Sequence, residues 1–554
     1  MAQPVFEDIL REAIGHHQAG RLAQAVMCYR QALDVRPDSA AAHCNLGSAL
    51  KSQGDVDGAI ACFQRALALE PDAAEAHNNL GNACQQTGRL DEAVECYQQA
   101  IALRPDYAEA HCNLGGARGD QGQHDEAIAC YREALRLKPE SARIHSNLVY
   151  ALHFHPASDR HSLYQEHRRW NDTHAAPLAR LHRPHANDRS PDRPLRVGYV
   201  SPDFLEHPVG RFLRPLLAAH DRDQFRIFCY ASQARHDSLT DRLRGHADVW
   251  RDVLALGDEQ LAALIRDDAI DVLVDVTMHM AGSRLPVFAR RPAPVQVTYL
   301  AYCATTGLGA IDYRLSTAAL DPAGYADCCS EQTILLPDTY WCYEPHGVAP
   351  AVGEPPAGRR GQITFGCLNN FCKVTEPALE TWSRLLASVG GSRLLLHSHP
   401  GGHRRRVADF LAARGIAPSR LTFAGFVPLS QYIEQYREID IGLDPFPYGG
   451  GTTTCDALWM GVPVVSLAGS MPVSRSGLHL LSQVGLADLA AATPRQYVAA
   501  AAGLAADLPR LRSLRASLRQ RLGQSPLMDA PRFARGIEAA YRIMWHRRCA
   551  DPAC

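Results

Sequence analysis

Asp444 to Val465 reads DPFPYGGGTTTCDALWMGVPVV. An apolar run ends at Asp444, a glycine loop (Gly449–Gly451) and three threonines (Thr452–Thr454) follow, and an amphipathic helix begins. Unpaired backbone N–H groups at a helix start, with glycines in front, make a seat for phosphate. Open α/β folds bind ligands at the carboxyl edge of a parallel sheet. The stretch therefore predicts a strand–loop–helix unit that holds a phosphate-bearing ligand.

Short apolar runs of strand length surround it: ITFGCLN, SRLLLHSH, RLTFAGF, DIGLDP and PVVSL from residue 363 onward, and LRVGYVS, FRIFCYAS, IDVLVDVT, PVQVTYL, DYRLS and QTILLP between 195 and 337. Helical stretches such as Arg211–His220 and Asp258–Asp268 separate most of them. Strands alternating with helices predict parallel sheets covered on both faces. The Pro- and Gly-rich HGVAPAVGEPPAGRRG divides the two series, so two lobes with a cleft between their carboxyl edges are expected.

The N-terminal part has a different period. Gly20, Gly54, Gly88 and Gly122 recur every 34 residues, as do Tyr29, Phe63, Tyr97 and Tyr131, and Pro37, Pro71, Pro105 and Pro139. This is the tetratricopeptide signature, in which helix pairs too small to fold alone stack into a superhelix with a groove. His43, His77, His111 and His145 recur likewise and are expected to pack within the stack. Asn45, Asn79, Asn113 and Asn147 follow two residues behind. If these carboxamides face the groove they can grip the backbone of an acceptor peptide; the alternative is that they bridge helices. The His-, Arg- and Pro-rich stretch after residue 150 reads as a solvated linker with a helix over Asp159–His174.

The expected organisation is repeats over 1–150, a helical linker over 151–193, an N-terminal Rossmann-like lobe over 194–345, an interlobe linker over 346–361, a C-terminal Rossmann-like lobe over 362–530 and a last helix over 531–554. A length of 554 residues fits several domains. A net charge of -2 carries no signature of nucleic-acid or membrane partners. MAQPVFEDILREAIGHH lacks the apolar centre of a signal peptide. The 17 cysteines include Cys28, Cys62, Cys96 and Cys130 at the repeat spacing, which reads as reduced, buried thiols. The expected location is cytoplasmic.

Several residues stand where chemistry is expected. Thr452, Thr453 and Thr454 can bind a diphosphate, and Asp456 can accept from ribose hydroxyls. Lys373 is the only lysine after Lys138 and sits with Asn370 on the loop after ITFGCLNN, where it can neutralise a departing diphosphate. His207 follows LRVGYVS and suits proton transfer or phosphate binding. His279 holds the equivalent edge after IDVLVDVT and is a secondary candidate. His397, His399 and His403 lack an acid or thiol to complete a metal set, and Asp221-Arg222-Asp223 precedes a strand, on the wrong edge. No metal or other cofactor is expected. The sequence has neither G-x-x-x-x-G-K-[ST] nor a strand-linked G-x-G-x-x-G, which disfavours an ATPase and a dehydrogenase.

Tandem repeats followed by HPVG, RPAPVQVTYL, FGCLNNFCKVTEPALETW and GGGTTTCDALWMGVPVV resemble the protein O-GlcNAc transferase family, in a bacterial form. The resemblance covers nearly the whole chain. It implies a GT-B glycosyltransferase of family 41 that moves N-acetylglucosamine from UDP-GlcNAc to Ser or Thr hydroxyls of proteins, with inversion and without metal. Position by position, His207 matches the family's proposed base or phosphate ligand, Lys373 the lysine on the diphosphate, Thr452 and Thr453 the phosphate-binding threonines, and Asp456 the acid on the ribose. Animal members carry His, Gln and Tyr where this chain has Gly451, Asn370 and Cys372. VGYVSPDF, LDPFPYGGGTTTCDALWMGVPVVSLAGS and AAYRIMWHRRC are also similar to plant protein O-fucosyltransferases, which use GDP-fucose. A non-enzyme alternative is a peptide-binding scaffold with a sugar-nucleotide-sensing domain.

Overall fold

In the computed structural model, which describes residues 2–345, 347 and 350–550, the chain divides into two units. The first comprises the residues up to Ile144 together with Ser398–Val407. Its helices pair as Ala2–Gln18 with Leu22–Val35, Ala40–Gln53 with Val56–Leu69, Ala74–Gln86 with Leu90–Leu103, and Ala108–Asp120 with His124–Leu137. The turn glycines take left-handed backbone, as in Gly54 with φ 94°.

In the second, third and fourth pairs a helix glycine (Gly47, Gly81, Gly115) receives an aromatic ring from the next helix, that of Phe63, Tyr97 or Tyr131. A Cβ placed on Gly81 would lie 2.6 Å from the Tyr97 ring. That ring is buried, and its hydroxyl lies within hydrogen-bond distance of Asn82 Oδ1 (2.8 Å) and Gln85 Oε1 (2.9 Å), so it cannot swing aside. Gly81→Val should therefore cost about 1–3 kcal/mol by overpacking, more than a glycine in a helix loses by propensity. A urea melt that leaves the midpoint of Gly81→Val unchanged would contradict this packing.

Three of the four histidines bond the closing prolines: His43, His77 and His111 Nε2 lie 2.9, 2.9 and 3.0 Å from the carbonyls of Pro37, Pro71 and Pro105, whereas His145 Nε2 lies 2.8 Å from Glu166 Oε1. Asn45, Asn79, Asn113 and Asn147 are all half-buried. Asn79 Nδ2 reaches Cys44 Sγ (3.6 Å) and Asn113 Nδ2 donates to Asn78 Oδ1 (2.9 Å), so these two bridge neighbouring repeats. Asn147 falls in the second unit.

The second unit, His145–His397 with the residues from Ala408, contains both α/β lobes. The first lobe is a parallel sheet of β1 (Leu195–Ser201), β2 (Phe225–Ala231), β3 (Val249–Asp252), β4 (Val272–Asp275), β5 (Val295–Thr298), β6 (Tyr313–Ser316) and β7 (Gln332–Leu335), in the order 3-2-1-4-5-6-7. The second comprises β8 (Thr364–Cys367), β9 (Arg393–His397), β10 (Leu421–Ala424), β11 (Ile441–Leu443), β12 (Val464–Leu467) and β13 (Ala490–Ala491), in the order 10-9-8-11-12-13. Both are doubly wound. Their strand order reverses beside β1 and β8, and crevices open at such switch points. β4, VLVD, is buried along its whole length because helices cover both faces.

Between the lobes lies a short helix, Pro356–Arg360; His346, Val348 and Ala349 of the expected linker, and Asp551–Cys554 of the expected last helix, lie outside the described residues. The helix Ala530–Ala550 packs on the first lobe: Tyr541 Oη is 3.0 Å from Tyr199 Oη, and Glu538 Oε1 is 2.9 Å from His220 Nδ1. No helix among the described residues is long and apolar enough to cross a membrane.

The stretch after residue 150 differs from a solvated linker. Arg160–Trp170 is helical and capped by Asp159, but His153 and His167 are buried, with ring centroids 5.3 Å apart. Burial holds His153 far below the usual histidine range and His167 at about 4, so both are neutral. Two uncharged imidazoles can enter a core, which their frequency in the sequence conceals.

Candidate active site

A cavity of about 280 Å³ opens where the two switch points meet. Its second-lobe wall is built from Asn369, Asn370 and Lys373 after β8, and from Tyr448, Gly449, Gly451, Thr452, Thr453 and Ser476. The first lobe adds His207, Phe212, Met280, Tyr302 and Trp341, and Tyr150 comes from the helix Ala142–Leu152.

Asp444 shapes the glycine loop. It is fully buried at the end of β11, where its Oδ1 accepts from the Gly450 amide (2.7 Å) and its Oδ2 from Ser466 Oγ (2.7 Å). Burial raises its carboxyl to about 6 despite these bonds. A Cβ on Gly450 would lie 2.5 Å from Thr454 Oγ1 and 2.8 Å from Asp444 Oδ1, so only glycine lets the loop close over the carboxylate. Gly451, by contrast, has nothing within 4 Å of its missing Cβ; it leaves the cavity open beside the helix Thr452–Trp459. Thr453 Oγ1 donates to Asn369 Oδ1 (2.8 Å), which ties the helix start to the loop after β8.

Lys373 is fixed by two contacts. Its Nζ donates to the Gly449 carbonyl (2.8 Å) and stands 4.4 Å from the centroid of the Tyr448 ring. Phe154 is stacked on Tyr448 with centroids 4.8 Å apart and planes 8° from parallel. Withdrawal from water pulls the Lys373 ammonium below the ordinary lysine range, and the charge of Asp444 opposes part of that shift. The result is a fixed cation beside exposed helix-start amides, a preorganised site for a developing oxyanion or a diphosphate.

His207 caps the helix Pro208–Ala219, its Nδ1 accepting from the Val209 amide at 3.3 Å. Desolvation pushes its pKa down to about 4, so the ring is neutral.

The cavity thus gathers His207, Asn370, Lys373, Thr452 and Thr453, and it excludes three expected residues. Thr454 is buried and turned toward Asp444. Asp456 is buried and already paired: Arg211 Nη2 donates to its Oδ1 (2.8 Å), Arg211 Nη1 to its Oδ2 (3.3 Å), and Tyr343 Oη to its Oδ1 (2.8 Å). Its carboxylate is committed to these donors rather than offered to a ribose. His279 is fully buried between Ser146 Oγ (3.1 Å) and the Thr306 carbonyl (2.8 Å), and desolvation drives its pKa far down; it is a packing residue. His397 packs against Phe426, with ring centroids 4.2 Å apart. Sequence reasoning missed Asn369, though it adjoins Asn370, and missed Arg211, Tyr448 and Tyr150, whose partners lie far along the chain.

Two doubly wound lobes with a phosphate-competent cavity at their switch points define a GT-B glycosyltransferase. The family model "Glycosyl transferase family 41" matches residues 138–349 and 359–537, and "TPR repeat" matches 16–54, 47–88, 81–122 and 117–153. The chain belongs to glycosyl transferase family 41. It is 39% identical over 399 residues to the Oryza sativa subsp. japonica protein described as "Probable UDP-N-acetylglucosamine--peptide N-acetylglucosaminyltransferase SPINDLY", a match covering 71% of this chain and 43% of that one. The Arabidopsis thaliana protein given the same description with the name SEC is 30% identical over 366 residues, 64% of this chain and 38% of that one. The chain therefore spans less than half the length of these relatives. A solved structure of a lysine-to-methionine mutant of Thermobaculum terrenum O-GlcNAc transferase superposes with a TM-score of 0.86 at 37% identity, covering 92% of this chain and 98% of that one.

Proposed function

We propose that the protein transfers N-acetylglucosamine from UDP-GlcNAc to Ser or Thr hydroxyls of proteins or peptides, with inversion. The observation that carries this reading is the convergence of Lys373 and the Thr452–Thr453 helix start on one cavity. The diphosphate lies on the helix-start amides with the Lys373 ammonium beside it. The acceptor oxygen attacks the anomeric carbon as the bond to the phosphate oxygen breaks, and the departing charge meets groups already in place. The neutral His207 stands at the acceptor side. Tyr150, Tyr302 and Trp341 give the rest of the wall an apolar, aromatic character suited to a sugar face and a peptide. The repeats supply a surface for the acceptor chain, to which Asn45 can add a carboxamide while Asn79 and Asn113 hold neighbouring repeats together.

Transfer is expected to need no metal. Asp444 and Asp456, the carboxylates nearest the seat, are consumed by internal donors, while lysine and helix dipole already supply positive charge. The descriptions of the relatives favour UDP-GlcNAc over GDP-fucose.

The test is calorimetry with UDP-GlcNAc, UDP-glucose and GDP-fucose, alongside transfer of labelled sugar to a mixed protein extract with and without EDTA. UDP-GlcNAc should bind and label protein equally in both conditions. Preferential binding and transfer of GDP-fucose would replace the donor assignment. UDP binding without any transfer would favour a nucleotide-sugar sensor instead.

A further inference from the structure

The loop that carries His207 holds a second ionisable group with no task so far. Asp203 lies two residues beyond β1, its amide held by Ser201 Oγ at 2.9 Å. Its Oδ2 is enclosed and makes no hydrogen bond, yet it lies 3.6 Å from His207 Nδ1. A buried carboxylate oxygen without a donor is costly and calls for a reason. Among the described residues His207 is the one basic group within ion-pair distance of it. Tyr150, on the neighbouring helix, also feels its charge.

Nδ1 of His207 thus has two neighbours, the Val209 amide, which donates to it at 3.3 Å, and Asp203 Oδ2, which stands 3.6 Å away without a hydrogen bond. A neutral imidazole carries one proton. With that proton on Nε2, Nδ1 accepts from Val209 and the ring offers the cavity a donor. With it on Nδ1, the proton is turned toward the Asp203 side, the Val209 amide gives up its bond to the ring, and Nε2 offers a lone pair. Only the second arrangement can take a proton from a hydroxyl.

We propose that Asp203 is a positioning residue that draws the His207 proton to Nδ1 and so presents Nε2 as the base for the acceptor hydroxyl. The inference rests on the transfer reading above. As the acceptor oxygen bonds to the anomeric carbon, its proton passes to Nε2, the carbon–phosphate oxygen bond breaks, and its electron pair leaves with UDP. The imidazolium that forms is held against the Asp203 carboxylate, as in other carboxylate–histidine pairs. Burial raises the Asp203 carboxyl to about 7, while His207 at about 4 keeps one charge state across neutrality. A protonated Asp203 would instead donate to Nδ1 and fix the unreactive tautomer. Turnover should therefore rise with pH as Asp203 loses its proton.

The experiment is kcat against pH at saturating UDP-GlcNAc for the full chain and for Asp203→Asn. The variant should lose about ten- to a hundredfold in kcat, with its donor KM little changed and its acid limb near neutrality gone. An unchanged kcat with an unchanged limb, or a loss confined to donor KM, overturns the proposal. A second measurement stands apart from turnover and from the stability of any Asp203 variant. In imidazole ¹⁵N spectra of the labelled wild type, with His207 identified by comparison with His207→Gln, the proton should sit on Nδ1 above the Asp203 titration and on Nε2 below it. A proton on Nε2 throughout overturns the proposal. Failure of the wild type to use any donor would instead strike the transfer reading and leave the tautomer measurement standing.

Discussion

Replacing Lys373 with alanine should lower kcat by about 10²–10³, close to 3–4 kcal/mol of transition-state stabilisation, the usual loss when one preorganised electrostatic group is removed. The side chain is not free to be substituted in function by solvent. Its Nζ is anchored to the Gly449 carbonyl and seated on the Tyr448 ring, so no reorganisation is needed when charge builds on the diphosphate. The fold should survive, because Lys373 lines a cavity and, among the described residues, hydrogen-bonds a loop carbonyl rather than a core element. Single-turnover rates with saturating donor separate this loss from weaker binding. Near-normal turnover in Lys373→Ala would remove the lysine from the mechanism.

The largest effect on stability is expected at Arg211→Ala. Arg211 stands on the first-lobe helix Pro208–Ala219 and Asp456 on the second-lobe helix Thr452–Trp459, with their side chains 9% and 1% exposed. Removing the guanidinium leaves a buried carboxylate with only the Tyr343 hydroxyl, at a cost of about 3–5 kcal/mol. The cost comes from the stranded charge rather than from a lost attraction. The double variant Arg211→Ala, Asp456→Asn should therefore recover much of it. Chemical denaturation of the two variants checks this. A double variant no more stable than the single one would show that the pair contributes through packing alone.

Much of the fold is legible in the sequence because its signals are periodic and local. The 34-residue register, the apolar runs of strand length and the glycine loop after β11 each need only a short window to be read. β3 escapes because VWRD is a short, half-exposed strand carrying charge, and β13 because it has two residues. The site is less legible. Lys373 and His207 can be picked out by their place after strands. What Asp456 does depends on Arg211, 245 residues away, and on Tyr343. His279 looks like a cleft residue until Ser146 and Thr306 enclose it. Position along the chain tells which edge of a sheet a residue occupies, but not which long-range partner has already claimed it.

The stack of Phe154 on Tyr448 has a consequence for where the glycosyltransferase begins. Tyr150 contributes wall to the cavity and Phe154 backs the ring on which the lysine rests, yet both precede β1 by some forty residues. The helix Ala142–Leu152 is itself divided, with Ala142–Ile144 in one unit and the residues from His145 in the other. The unit that holds both lobes thus begins at His145 rather than at β1, so a cut at the first strand would strip aromatic support from the cavity while leaving both sheets intact.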